Sequence, residues 1–199
     1  MNKLNNLNDF LNINDVILNC SIENETLERF TLTELEISRS ELSNSKMINC
    51  NLEKLYLNNV KFKDCDLSNT NFYKSTLKNV TFTNCNLVGA NFCESYLNNV
   101  TLSNCKANSS IFDESKITAS NFKQSLLNDI SMSNCKFRNI SFEECELICA
   151  NFSKTSLSGI DFSSSTISSF IIYPEDIKGA ILTEYQALDF IKLLGIKIK

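Results

Sequence analysis

The chain has 199 residues, of which 43% are hydrophobic, and its formal net charge at pH 7 is −4, from 19 basic and 23 acidic residues. Such a mild charge argues against a polybasic nucleic-acid binder and against a strongly acidic tail. Histidine is absent, which removes the commonest zinc ligand and the commonest general base.

Residues 1–15 come before the regular part of the chain and predict an N-terminal leader or cap. They are rich in asparagine and do not resemble a signal peptide, and no apolar stretch of the sequence is long enough to span a bilayer. We therefore expect a cytoplasmic protein that does not contact membranes. The apolar spacing predicts a short helix with one apolar side, formed by Leu4, Leu7, Phe10 and Leu11.

A period of five residues dominates residues 16–182. From Ile17 to Leu182 every fifth residue is Leu, Phe, Ile, Met or Ala, without a single slip of register. A period of five matches neither the 3.6 of a helix nor the 2 of a strand. The pattern predicts a solenoid built from five-residue units, in which two residues of each unit point inward and three point outward.

A second period of 20 residues indicates how many units make one coil. The blocks that begin at Leu57 and Leu77 read LNNVKFKDCDLSNTNFYKST and LKNVTFTNCNLVGANFCESY. Residues 20 apart should therefore stack, with four units per coil, in a four-sided parallel β-helix of roughly 8 coils and about 40 Å in length. Phenylalanines should form two opposite walls, the first from Phe62, Phe82, Phe122, Phe142 and Phe162 and the second from Phe72, Phe92, Phe112 and Phe152.

The five-residue units also resemble a known family. CDLSN, ANFCE, CNLVG, CELIC and ANFSK are similar to the A(D/N)LXX consensus of the pentapeptide repeat family, and the likeness extends from about Ile17 to Leu182. This resemblance implies a right-handed quadrilateral β-helix. The predicted fold class is thus all-β: a right-handed quadrilateral parallel β-helix, with four repeats per coil and a C-terminal α-helix.

The nine cysteines form no CxxC pair, and their positions argue against a disulfide framework or a metal site. Most lie two residues before a member of the apolar series, in a column shared with Ser, Thr, Ala and Val, and are predicted to be small buried residues: Cys20, Cys50, Cys65, Cys85, Cys105, Cys135 and Cys145. Cys93 and Cys149 are predicted to point outward. No cofactor and no metal are expected.

Residues 183–199 predict a capping or dimerisation helix and a tail. Thr183 and Gln186 form a capping box, and Gly195 supplies a C-terminal stop. The apolar stripe is wide enough for burial on two sides. The segment DIKGAILTEYQALDFIKLLGI resembles the C-terminal ends of Qnr-type and MfpA-type quinolone-resistance pentapeptide proteins, which implies a homodimer; the alternative is a cap helix on a monomer. The candidate dimer interface consists of Tyr185, Leu188, Ile191 and Leu194.

No Ser/His or Cys/His pair, phosphate-binding glycine loop or metal-binding helix is present, so no enzyme activity is predicted. The outward charges then become the candidate binding residues. The candidate acidic face carries Glu23, Glu41, Asp64, Glu143, Glu144 and Asp161, together with Lys61, Lys63 and Lys123. The candidate basic face carries Arg39, Lys78, Lys116, Lys136 and Arg138.

Two kinds of partner stay open for such a non-enzymatic interaction protein. Resemblance to the Qnr and MfpA proteins implies a DNA mimic that binds a type II topoisomerase, DNA gyrase or topoisomerase IV, and modulates quinolone action. The alternative is a structural scaffold or adaptor with an unrelated protein partner, for which Tyr56 and Tyr96 on the basic face could contact an acidic surface. Direct nucleic-acid binding is disfavoured, since so few aromatic residues accompany the basic ones.

Overall fold

The computed structural model describes residues 1–4, 6–11 and 15–191. The strands are β1 (Asn2–Leu4), β2 (Val16–Leu18), β3 (Cys20–Glu23), β4 (Thr26–Glu28), β5 (Glu36–Ser43), β6 (Lys46–Ile48), β7 (Tyr56–Lys63), β8 (Thr76–Thr83), β9 (Tyr96–Ser103), β10 (Lys116–Lys123), β11 (Lys136–Glu143), β12 (Glu146–Ile148) and β13 (Thr166–Ser168). The helices are α1 (Leu7–Leu11) and α2 (Glu184–Ile191).

The strands pair in parallel with a register of 20 residues. A nine-stranded sheet runs β1-β3-β5-β7-β8-β9-β10-β11, with β2 also on β5, and two further sheets pair β4 with β6 and β12 with β13. Leu57 is opposite Leu77, which is opposite Leu97. The structure is a parallel β-solenoid of about 8 turns with a short C-terminal helix, and the predicted fold class is confirmed.

The five-residue apolar series forms the core of the rod. Every member of the series is buried except Leu32, Phe137, Ile177 and Leu182, which are half-buried. Within a phenylalanine wall the rings stack directly; for example, the Phe72 and Phe92 ring centroids are 4.8 Å apart. The two walls also touch across the interior, in edge-to-face contacts that aromatic quadrupoles favour.

The corners of the rod depend on a left-handed backbone conformation. The residue two positions after each series member has a positive φ almost throughout, as in Asn19, Asn69 and Asn99. Asparagine tolerates this region because its short side chain bonds locally, whereas most other non-glycine residues are disfavoured there. Side-chain oxygens of Asn and Asp also accept the N–H two residues on, as Asn71 does from Tyr73 at 3.2 Å. Other residue types occupy some of these corners, for example Lys54, Glu94 and Ala119.

The other inward position of each unit lies two residues before the series member. Many of the side chains there are small and polar, and they form hydrogen bonds with the backbone of neighbouring coils. Ser95 Oγ accepts the N–H of Ser75 at 3.0 Å and donates to the carbonyl of Phe72 at 3.0 Å. Ser115 repeats both contacts one coil later. Among the described residues, no buried side-chain nitrogen or oxygen lacks a hydrogen-bond partner. The polar residues of this column therefore join the coils without the penalty of an unpaired buried group.

The cysteines of this column are buried as predicted, apart from Cys20, which is half-buried at the edge of the rod. Burial raises the pKa of Cys135 to about 12 and that of Cys145 to about 11. Of the two predicted outward thiols, Cys149 is exposed and Cys93 is half-buried. Burial also raises the pKa of Cys93, so this thiol is a poor nucleophile.

The N-terminal residues cover the first coil in two pieces. Leu4 lies in β1, which pairs with β3, so the prediction that it belongs to the helix is wrong. In α1, Leu7 and Leu11 are buried. The Glu25 carboxylate accepts the N–H groups of Asn6 and Leu7, each at 2.9 Å, and so caps this helix. This contact explains why an acid replaces the usual small residue at position 25.

Candidate functional site

The features of the described residues that could bind a partner lie on the surface of the rod. No group of three or more His, Cys, Asp or Glu side chains in this part of the chain could hold a metal ion. Neither described helix has the length and apolar character that crossing a bilayer requires. The outward columns, the C-terminal end and one groove are the features that remain.

The candidate acidic residues fall in adjacent columns on one side of the rod. Glu23 and Glu143 stand in the same column, through Ser43, Lys63, Thr83, Ser103 and Lys123. They are six coils apart, roughly 29 Å at about 4.8 Å per coil. The structure therefore separates Glu23 and Glu41, near the N-terminus, from Glu143, Glu144 and Asp161. Asp64 lies between these two groups.

Basic and neutral residues interrupt the same columns. Lys123 Nζ is 3.8 Å from Glu143 Oε2 in an exposed ion pair, and Gln124 Nε2 donates to Glu144 at 2.8 Å. The Asp161 carboxylate accepts the N–H of Ser163 at 2.8 Å, and hydrogen bonds from Ser163 hold the pKa of Asp161 below its usual value. What the structure offers is thus a short C-terminal acidic cluster, which we define as Glu143, Glu144 and Asp161.

The candidate basic residues are brought together more closely. Lys116 lies directly opposite Lys136 between β10 and β11, and Arg138 is opposite Thr118. Lys78 stands in the same column as Arg138, three coils away, and Arg39 occupies the corner of β5. Such stacking places neighbouring cations about 4.8 Å apart at the backbone.

Two tyrosines lie under the basic residues. Lys78 Nζ is 5.6 Å from the centroid of the Tyr56 ring, and Lys116 Nζ is 5.5 Å from that of Tyr96. A hydrogen bond from Asn98 lowers the pKa of Tyr96. Within the described residues the ion pairs are Lys54–Glu34, Lys74–Glu94 and Lys123–Glu143. None of them uses a cation of the basic face, so these charges stay available to a partner.

The C-terminal helix seals the last coil. Thr183 N donates to Gln186 Oε1 at 2.8 Å and Gln186 N donates to Thr183 Oγ1 at 3.3 Å, so the predicted capping box is confirmed. Gln186 Nε2 donates to the carbonyls of Phe162 and Ser165, at 2.9 and 2.8 Å. The Phe190 ring meets Phe170 edge to face at 5.6 Å.

The predicted dimer-interface residues differ in exposure. Tyr185 is 86% exposed and Leu188 is 47% exposed, whereas Ile191 is half-buried. Leu194 and the tail lie outside the described residues. The end of the rod exposes further large apolar side chains, namely Ile171, Tyr173 and Ile181. An apolar surface therefore remains after α2 has covered the last coil.

A groove that the five-residue pattern does not predict lies between β11 and the coil that follows it. A cavity of about 680 Å³ runs along Cys135–Ile140 and is bounded on its far side by residues that include Lys154, Gly159 and Asp176. A second cavity of about 430 Å³ adjoins it and shares Lys136–Asn139. The two cavities together extend from β11 to Tyr96 and Lys116 on the basic face.

A change of side-chain size coincides with the position of this groove. Phe137 takes the place that Leu57, Leu77, Leu97 and Ile117 hold in earlier coils, and its ring meets Phe152 edge to face at 6.3 Å. Ile140 and Ile160 occupy the column of Val60, Val80 and Val100. Larger side chains need more room in a close-packed interior. The signal was present in the sequence as a change of residue size at a fixed column position.

Known families and solved structures resemble this chain. A model of the pentapeptide repeat region matches residues 55–131, and a model of eight pentapeptide repeat copies matches residues 36–72 and 125–163. Among solved structures, QnrB1, a plasmid-mediated fluoroquinolone resistance protein, is 19% identical over 88% of this chain and 100% of its own, with a TM-score of 0.48. No curated protein matches the sequence.

HetL from the cyanobacterium Nostoc sp. strain PCC 7120, a pentapeptide repeat protein involved in heterocyst differentiation regulation, is also similar. It is 16% identical over 84% of this chain and 83% of its own, with a TM-score of 0.48. The two repeat models together extend from residue 36 to residue 163, more than half of the chain. With its unbroken five-residue series and its four-sided coils, this chain belongs to the pentapeptide repeat family.

Proposed function

We propose that the protein is a rigid, non-enzymatic scaffold or adaptor that binds a protein partner through its outward columns. The observation that carries this proposal is the regularity of the rod: a continuous core holds every outward column in a fixed register. Such a solenoid presents long, preorganised surfaces, which lowers the entropic cost of binding a partner. A cytoplasmic location remains part of the proposal.

Mimicry of DNA toward a type II topoisomerase is the second candidate, and the C-terminal acidic cluster favours it. Duplex DNA carries one negative charge per about 1.7 Å of its axis. The acidic face spreads its acids over a much longer distance and interrupts them with Lys61, Lys63 and Lys123. Mimicry would therefore depend on the C-terminal cluster, and this is why we rank the candidate second.

A supercoiling assay with purified DNA gyrase separates the two candidates. With and without ciprofloxacin, we expect the protein to leave supercoiling unchanged at low micromolar concentration, and cells that produce it to keep their quinolone sensitivity. Protection of gyrase would contradict the scaffold proposal. In that case a variant with Glu143, Glu144 and Asp161 changed to Lys should lose protection, whereas Glu23→Lys with Glu41→Lys, at the other end, should retain it.

We also propose that two copies associate through their C-terminal ends. The support is the exposure of large apolar side chains near this end, Tyr185 and Leu188 on α2 and Tyr173 and Ile181 before it. Large exposed apolar patches usually mark interaction sites. A two-fold pairing of this end would double the length of the rod and of every outward column.

Substituting Leu188 by Asp should convert the dimer to a monomer, because a carboxylate would lose its water at the centre of the apolar contact. Light scattering after size exclusion should then give 22.5 kDa, the mass of one chain. The neighbouring exposed substitution Asp189→Asn is the matched control and should leave a dimer. A wild-type mass of one chain would contradict the proposal.

A further inference from the structure

On the face of the nine-stranded sheet, the hydrogen-bond ladder between coils is interrupted after β11. On this face the first residue of each strand donates to the carbonyl one coil earlier: Tyr96 N to Ser75 O at 2.9 Å, Lys116 N to Ser95 O at 3.0 Å and Lys136 N to Ser115 O at 2.9 Å. The equivalent bond from residue 156 to Cys135 is not formed. Within the described residues, no backbone hydrogen bond joins residues 136–143 to residues 156–163.

The backbone of β11 therefore has an open edge that faces the groove. In an earlier coil of the same face, Asn19 holds the position of Asn139, and its N–H bonds to Ser38 O of the following coil at 3.1 Å. On another face, the matching residues of a repeat unit make the same bonds, from Leu67 N to Asn86 O at 2.7 Å and from Asn69 N to Val88 O at 2.9 Å. The following coil instead bonds onward, from Leu157 N to Asp176 O at 2.8 Å. An exposed strand edge with free donors and acceptors is a template for another extended chain.

The side chains of β11 define what such a chain should carry. Lys136 and Arg138 are exposed, and Phe137, between them, is half-buried. Lys116 extends the positive charge onto β10, and Lys154 lies across the groove. Asp176, an acid that lines the groove, already accepts the N–H of Lys154 at 2.8 Å. The groove is thus lined by positively charged side chains on both sides, and the Phe137 ring adds an apolar contact.

We infer that the open edge of β11 binds an extended acidic peptide segment of a partner protein by adding it as a parallel strand. In the register of the rod, successive peptide residues would stand next to Lys136, Phe137 and Arg138, so the recognised pattern is acidic, apolar, acidic. Opposite charges on directly neighbouring strand positions stabilise such a pair. The open segment Lys136–Ile140 accommodates about five residues, or roughly 17 Å of strand.

Charge excludes the most obvious competing occupant. A second copy of this chain, added through the same edge, would bring its own Lys136 and Arg138 close to those of the first copy. Like charges at such short distance disfavour that association. This inference rests on the proposed binding function, but it concerns a different surface from the C-terminal acidic cluster and does not need a topoisomerase.

The test uses the full-length protein and the fluorescein-labelled peptide GTEVETVG, with fluorescence anisotropy as the readout. We expect saturable binding that weakens as salt rises, since exposed charges are screened. The variant Lys136→Glu with Arg138→Glu should bind at least tenfold more weakly. Arg39→Glu with Lys78→Glu makes the same charge change on the same face but away from the groove, and should bind as the wild type does.

Two further peptides separate strand addition from simple charge attraction. GTKVKTVG should not bind. N-methylation of the peptide's backbone amides should abolish binding, because it removes donors to the β11 edge. In hydrogen exchange, the Phe137 and Asn139 amides should exchange faster than those of Leu77 and Asn79, and the peptide should slow them.

Equal binding of the N-methylated peptide, or competition by inorganic phosphate alone, would overturn the inference. So would equal binding by the variant Lys136→Glu with Arg138→Glu. If the protein bound a partner elsewhere, or protected gyrase, but did not bind GTEVETVG, this inference would be wrong. The proposal that the protein binds a partner would still hold.

Discussion

Replacing Phe92 by alanine should lower the free energy of unfolding by about 3–5 kcal/mol, the usual loss for a fully buried phenylalanine. Phe92 is 1% exposed, and its ring stacks between Phe72 at 4.8 Å and Phe112 at 4.7 Å. It also meets Phe82 edge to face at 6.5 Å. Removing the ring breaks one phenylalanine wall and its contact with the other. Urea denaturation followed by circular dichroism measures the change.

Phe92→Leu is the matched control, and it should cost less than half as much. The same interior column accepts Leu52 and Met132, both of which are fully buried. A loss below about 1 kcal/mol for the alanine variant would mean that the coils collapse into the space. Since repeat arrays can unfold in parts, the slope of the transition should be compared as well as its midpoint.

Replacing Thr155 by valine should cost about 2–4 kcal/mol, although the two side chains have nearly the same shape. Thr155 is completely buried, accepts the N–H of Cys135 at 2.8 Å and donates to the carbonyl of Met132 at 2.7 Å. Valine would leave both backbone groups buried without this partner. Thermal and urea unfolding of purified variants would measure the loss.

Serine at position 155 provides the control, because it keeps the hydroxyl and removes only a methyl group. We expect Thr155→Ser to cost about 1 kcal/mol or less. If serine proved as damaging as valine, packing and not hydrogen bonding would account for the role of this residue. Ser95 and Ser115 occupy the equivalent column, so the result extends to the polar bonds between coils.

The core could be read from the sequence because one physical requirement repeats at every unit. Each fifth residue must be apolar for a coil to close. The burial of Leu57, Phe72 and Ile117 can therefore be predicted from their positions in the period alone. The capping box of Thr183 and Gln186 is equally local, since both partners lie within one helical turn. Such features depend on short-range patterns, which a sequence displays directly.

The groove and the N-terminal cap depend on contacts that no local pattern contains. Glu25 looks misplaced in its column until the chain brings Asn6 and Leu7 beside it. Phe137 obeys the five-residue period, and the gap in the ladder lies where Phe137, Ile140 and Ile160 replace smaller residues. The sequence predicted where these side chains point, whereas the separation of two coils involves residues about 20 positions apart, which no local pattern describes.

The charged faces fall between these two cases. The sequence assigns Lys116, Lys136 and Arg138 to one face, and the register between β10 and β11 places them there. The sequence does not predict the ion pair between Glu143 and Lys123, 3.8 Å apart, because that contact depends on side-chain geometry. An exposed pair of this kind contributes little to stability, but it reduces the charge that a partner would meet.

Direct stacking of residues 20 apart also bears on how such a protein can change over time. A duplication or loss of one whole turn keeps each buried column continuous, and it alters the reach of the molecule by about 4.8 Å. Point substitutions at outward positions, by contrast, leave the length of the rod unchanged and alter the chemistry of its surface. Molecular span and binding chemistry can therefore diverge independently, which suits a framework that has to fit differently sized targets.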